Sequence, residues 1–179
     1  NAMRTGNLMG LVAAGLFLGA SLTSTALAGP PLLCFPYEIG SAKSLPWGSD
    51  AFEQKKGYDT SRVVGDTLEI LKTEKSVLVR METLRRAAVY IGKDQQKATE
   101  LLAKISWMAM DSESIGKPSA YLWFDAGVLA ATLRQSGADI GWHAGMDMAD
   151  GYSWIQRALA LRPDDPAMQF GAALVVFEA

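Results

Sequence analysis

Apolar side chains recur at helical spacing through the whole chain after position 60. Between residues 77 and 91 the steps are four, three, four and three residues, through Val77, Met81, Leu84, Ala88 and Ile91. Such steps follow one face of an α-helix with about 3.6 residues per turn. No segment alternates apolar and polar residues at every second position, as a half-buried strand would. The sequence therefore predicts an all-α protein.

The same spacing, with capping residues and glycines at its interruptions, divides this region into helices. Ser76 and Asp94 are residue types that accept hydrogen bonds from the first free amides of a helix. Gly92 and the Gly116 turn are typical stops. The predicted helices lie near residues 60–73, 76–91, 95–110, 119–135, 148–161 and 166–177. The fourth is apolar on more than one side, which predicts a position between other helices.

Residues 29–57 form a leader of different composition, in which prolines and glycines interrupt any helix. A flexible linker would carry few large apolar side chains, but the leader has many. We expect it to lie as an irregular strap along the helical domain of residues 58–179 and to bury these groups: Leu32, Leu33, Phe35, Tyr37, Ile39, Leu45, Trp47 and Phe52.

The first 28 residues resemble an export signal preceded by a tag remnant. Residues 1–2 are interpreted as the remnant, and residues 3–28 as a signal peptide. The apolar run of residues 8–20 is too short for a spanning helix of about 20 residues, and Ala26-Leu27-Ala28 matches the small-x-small pattern of signal cleavage. We expect an exported protein, periplasmic or secreted, with no stable membrane anchor after cleavage.

The charge balance argues against a nucleic-acid partner. Arg4 is the one charged residue among the first 28, so the remaining chain has 16 Lys and Arg against 19 Asp and Glu. A protein that binds a phosphate backbone needs an excess of basic side chains. The expected partner is instead a protein or a peptide.

Reactive side chains are scarce. Cys34 is the only cysteine, so it is expected to be buried, a free thiol, or paired with another chain. His143 is the only histidine, and one Cys with one His does not make a zinc site of the Cys/His type. The sequence therefore predicts neither a metal nor a cofactor.

A small-residue pattern links residues 127–166 to a known repeat. Gly151, Ile155, Ala158 and Pro163 occur at spacings of four, three and five residues. This stretch resembles the second helix and exit turn of a tetratricopeptide repeat, with Gly127 as the small residue of the first helix and a glycine-rich insert at residues 137–147. The resemblance implies antiparallel helix hairpins stacked in a short solenoid; an orthogonal helical bundle has a similar local pattern.

Three hypotheses of function follow. In tetratricopeptide repeats a concave face grips a peptide or a partner domain, and we expect such a binding module rather than an enzyme, with candidate binding residues Trp47, Tyr121, Phe124 and Trp142. The alternative is a small exported hydrolase that uses His143 or paired carboxylates, although Glu53, Glu69, Glu82 and Glu100 are expected at polar helix positions. The third is a subunit of an envelope complex, docked through the leader around Cys34 and Trp47.

Overall fold

The computed structural model of the protein describes residues 31–50, 52–137 and 151–176. Within these ranges the chain forms helices and no strand, apart from one isolated antiparallel bridge between Trp47 and Gln54. The all-α prediction is confirmed. The helices are α1 (Pro31–Cys34), a 3₁₀ turn (Thr60–Arg62), α2 (Val63–Thr73), α3 (Val77–Ile91), α4 (Gln95–Ser114), α5 (Ala120–Gln135), α6 (Gly151–Leu161) and α7 (Pro166–Val176).

The predicted helix boundaries are confirmed where a capping side chain sets them. The Ser76 side chain accepts a hydrogen bond from the amide of Val79, and Asp94 accepts one from Lys97. Gly92 ends α3 at a φ of 54°, a backbone conformation that costs glycine little. These boundaries are set by residues at the helix ends themselves, so they could be predicted from the sequence.

Two boundaries differ from the prediction. α4 continues one turn beyond residue 110 and ends in a Schellman motif, in which the amides of Gly116 and Lys117 donate to the carbonyls of Glu113 and Ser112, each at 2.9 Å. The leader, expected to be irregular throughout, begins with the single helical turn of α1, because proline is well suited to the first position of a helix.

α5 lies at the centre of the molecule, as its apolar surface predicted. It packs against α1, α3, α4, α6 and α7. α3 also contacts α7, so helix pairs that are not neighbours along the chain touch each other. In a solenoid each repeat contacts only its neighbours along the chain. The contacts between non-neighbouring helices therefore favour the bundle alternative.

The closest approach of two helices joins α5 and α6. A Cβ atom added to Gly127 would lie 2.5 Å from the carbonyl oxygen of Gly151, and one added to Gly151 would lie 2.6 Å from the carbonyl oxygen of Gly127. Ile155, one turn later on α6, also packs at Gly127, whereas Ala131, one turn later on α5, packs at Gly151. The two helices are therefore antiparallel, with two glycines at their contact.

The leader is held along α3 chiefly by polar groups of that helix. Arg86 donates to the carbonyl of Leu45 at 2.8 Å, and Glu82 accepts from the amide of Tyr37 at 3.0 Å. Leu32 and Leu45 are buried, but Phe35 and Phe52 remain about half exposed. The expectation that the leader buries all its large side chains is wrong for these two. An extended segment has two faces, and only one of them can contact the body.

Candidate functional site

A cleft of about 580 Å³ opens between α2, α4 and the first turns of α5. Positions 65, 68, 69 and 72 of α2 line one wall, at the i, i+3, i+4 and i+7 spacing of a single helix face. α4 supplies the opposite wall. The lining is largely apolar, through Leu68, Leu71, Ile105, Met108 and Leu122. Met108 is 40% exposed, so the apolar surface of the cleft is open to solvent.

Tyr121 stands in this cleft on the first turn of α5, which Ser119 caps by accepting from the amide of Leu122. The guanidinium carbons of Arg80 and Arg162 each lie 4.9 Å from the centre of its ring. Such cation–π contacts hold an aromatic ring in place. Of the four predicted binding residues, Tyr121 is the one that the structure places in the cleft.

A buried ion pair forms the base of the cleft. Arg80 donates from Nε to Asp125 Oδ1 at 2.9 Å and from Nη2 to Asp125 Oδ2, and both side chains are almost fully buried. Nη1 donates to the carbonyls of Leu71 and Glu74 at the end of α2. Burial raises the pKa of Asp125 to about 6, although the charge and hydrogen bonds of Arg80 act in the opposite direction. The pair ties α2, α3 and α5 together and gives the cleft a rigid base.

The rim of the cleft carries Glu69, Lys72, Glu74 and Lys75. The carboxylate of Glu74 accepts hydrogen bonds from the amides of Lys75 and Ser76 at 2.7 and 2.6 Å. Its charge is thereby directed at the start of α3. The two lysines are exposed.

Phe124 and Trp47, which were also predicted to bind a partner, are not in the cleft. Phe124 is fully buried, with its ring packed at Gly171 of α7, so the prediction that it contacts a partner is wrong. Trp47 packs on α3, with its ring 5.1 Å from the guanidinium carbon of Arg85 and in edge contact with Tyr90. Trp142 lies outside the described residues.

The residues proposed for other roles are also dispersed. Cys34 is half-buried at the end of α1. His143 and the proposed signal peptide lie outside the described ranges. Among the residues with described positions, no group of three or more His, Cys, Asp or Glu side chains is arranged to hold a metal ion.

Glu82 was expected on a polar face of its helix, but the structure buries it. It is fully buried and accepts hydrogen bonds from Arg85 at 2.7 and 2.8 Å and from Arg86 at 2.7 Å. Burial acts to raise the pKa of this carboxyl, but the hydrogen bonds from the two arginines and from Tyr37 outweigh it and hold the pKa below its ordinary value.

Sequence reasoning missed both buried charge clusters. One signal was available for Asp125, because it is the only acidic residue in α5, whose first three turns are otherwise apolar. Such a residue in a helix that packs on many sides needs a buried partner. No comparable signal marks Glu82, whose neighbours on α3 include several charged residues.

Comparison of the chain with protein families, curated proteins and solved structures found no match. In the part of the chain that the structure describes, no helix has both the length and the apolar character needed to cross a bilayer.

Proposed function

We propose that this chain is an exported protein that binds a peptide segment of another protein in the cleft between α2, α4 and α5. The observation that carries the proposal is an open, mainly apolar cleft of about 580 Å³ with a rigid ionic base. Binding sites of this size usually combine apolar walls with a few fixed polar groups. The cleft shows both features.

The mainly apolar lining of the cleft is better suited to the side chains of a peptide than to a small polar metabolite. Met108 is flexible and polarisable, and such residues adapt to different apolar partners. Tyr121 offers a large ring at a low cost in conformational entropy, because the arginines beside it already restrict its motion.

Export is proposed from the pattern of residues 3–28. When the full chain is expressed in a bacterial host, we expect the exported protein to begin at Gly29, because Ala26 and Ala28 have the small side chains that signal peptidase accepts. Mass spectrometry of the intact protein from the exported fraction measures this. The variant Ala28→Arg is expected to keep its signal segment. A chain of full length in the exported fraction would contradict the cleavage site.

A matched pair of variants on α4 tests the cleft. Met108→Asp is expected to weaken the binding of an apolar peptide by about tenfold or more, because a carboxylate would be desolvated against the peptide. Trp107→Asp is the control, since Trp107 is the adjacent residue and is 71% exposed but does not line the cleft. Fluorescence anisotropy with a labelled leucine-rich peptide measures both affinities. Equal losses in the two variants would argue against this site.

A further inference from the structure

We infer which charge the bound peptide carries, an inference that rests on the proposed function. The peptide is an apolar segment with acidic side chains at the end that binds near Lys72 and Lys75. The apolar side chains would contact Leu68, Met108 and Leu122 in the cleft, and the acidic ones would pair with the two lysines. This inference depends on which charges at the rim remain available to a partner.

Lys72 and Lys75 are available. Both are exposed and line the cleft. Neither forms an ion pair within 4 Å with any residue whose position is described; the ion pairs of this region join Arg80 to Asp125 and Arg162 to Asp165.

The acidic groups near these lysines are engaged elsewhere. The carboxylate of Glu74 accepts the amides of Lys75 and Ser76, and Asp125 is buried under Arg80. Asp125 is countered by Arg80, whereas Glu74 keeps its charge, because a hydrogen bond from an amide orients a carboxylate without neutralising it. The two acids and two lysines make the rim neutral in formal charge, but its lysine end carries Lys72 and Lys75 against Glu74 alone.

The remaining acidic residue makes the two ends of the cleft differ in charge. Glu69 precedes Lys72 by three residues on the same face of α2, towards the start of that helix. Lys72 and Lys75 lie at the other end, where α2 finishes and the base is formed by Arg80. A partner with acidic residues at one end therefore has one favoured orientation.

Three labelled peptides with one leucine-rich core test this inference: one flanked by Asp and Glu, one by Gln and one by Lys. In low salt the acidic peptide is expected to bind about tenfold more tightly than the Gln peptide and the Lys peptide least tightly, and the differences should shrink in 0.5 M salt. The double variant Lys72→Gln/Lys75→Gln should remove the preference. Lys55→Gln/Lys56→Gln, an exposed lysine pair on the leader, should retain it.

The outcomes separate the inference from the proposed function. Tight binding of all three peptides with equal affinity, together with loss of binding in Met108→Asp, would overturn the charge preference and leave the peptide site standing. If Lys72→Gln/Lys75→Gln still preferred the acidic peptide, these two lysines would not be the groups that bind its acidic side chains, and the inference would be overturned. Absence of binding for every peptide would overturn both proposals. Circular dichroism and urea denaturation check that each variant is folded.

Discussion

Replacement of Glu82 by Gln is expected to lower the free energy of unfolding by about 3–5 kcal/mol. Arg85 is fully buried, and Glu82 is its countercharge at 2.7 Å. The variant would remove the negative charge to which Nε and Nη2 of Arg85 donate and would weaken the hydrogen bonds to Arg86 and to the amide of Tyr37. Urea denaturation followed by circular dichroism measures the change.

Glu100→Gln is the matched control. Glu100 pairs with Lys104 on the surface of α4, where both side chains are about half exposed. Exposed pairs of this kind contribute little, so a loss below about 0.5 kcal/mol is expected. If Glu82→Gln cost no more than this control, the cluster of Glu82 with Arg85 and Arg86 would not stabilise the fold.

The dependence of stability on pH provides a second test of the Glu82 cluster. The folded state holds the pKa of Glu82 below its ordinary value of 4.5, so this carboxylate contributes stability above pH 4.5 that is lost as the pH falls through the lowered pKa. Asp125 acts in the opposite sense: its pKa is raised from 3.8 to about 6, so its contribution makes the folded state more stable as the pH falls from 6 towards 3.8. The difference in the free energy of unfolding between wild type and Glu82→Gln reports the contribution of the Glu82 carboxylate. This difference should become smaller below pH 4.5.

Replacement of Gly127 by Val is expected to destabilise the protein by about 3 kcal/mol or more. The first added carbon would lie 2.5 Å from the carbonyl oxygen of Gly151 and 2.7 Å from the side chain of Ile155. A backbone oxygen in a helix cannot move alone, so α5 and α6 would have to separate. Thermal unfolding measures the loss, and the fluorescence of the buried Trp154 on α6 should change with it.

Gly65→Ala distinguishes this packing effect from the general effect of replacing a helical glycine. A Cβ atom at Gly65 of α2 would meet nothing within 4 Å. Alanine stabilises a helix interior by about 0.5–1 kcal/mol relative to glycine, so this variant should unfold at a higher temperature. A similar gain in Gly127→Val would mean that α5 and α6 are not in close contact.

The helices could be predicted from the sequence because their determinants are local. The stripe of α3 and its caps at Ser76 and Gly92 lie within one segment, and the structure reproduces both. The contact of Gly127 with Gly151 was also accessible, because small residues at a repeat-like spacing indicate close packing.

The buried charges and the cleft could not be predicted in the same way, because they depend on distant segments. The face of α3 that carries Glu82 and Arg86 has the composition of a solvated surface, and it is buried because the leader covers it from about 40 residues earlier in the chain. Tyr121 and Phe124 are three residues apart on α5, yet one lines the cleft and the other fills the space above Gly171. Their spacing does not distinguish them; the position of α7 does.

Three of the hydrogen bonds that α3 donates to the leader end on main-chain oxygen atoms. Arg85, Arg86 and Tyr90 donate to the carbonyls of residues 33, 45 and 46. Every amino acid provides such a carbonyl, so these bonds constrain the course of the leader more than its side chains. Substitution of the exposed Pro46 should be tolerated, whereas deletion of a single residue between positions 34 and 44 would shift the acceptors out of register with the arginines.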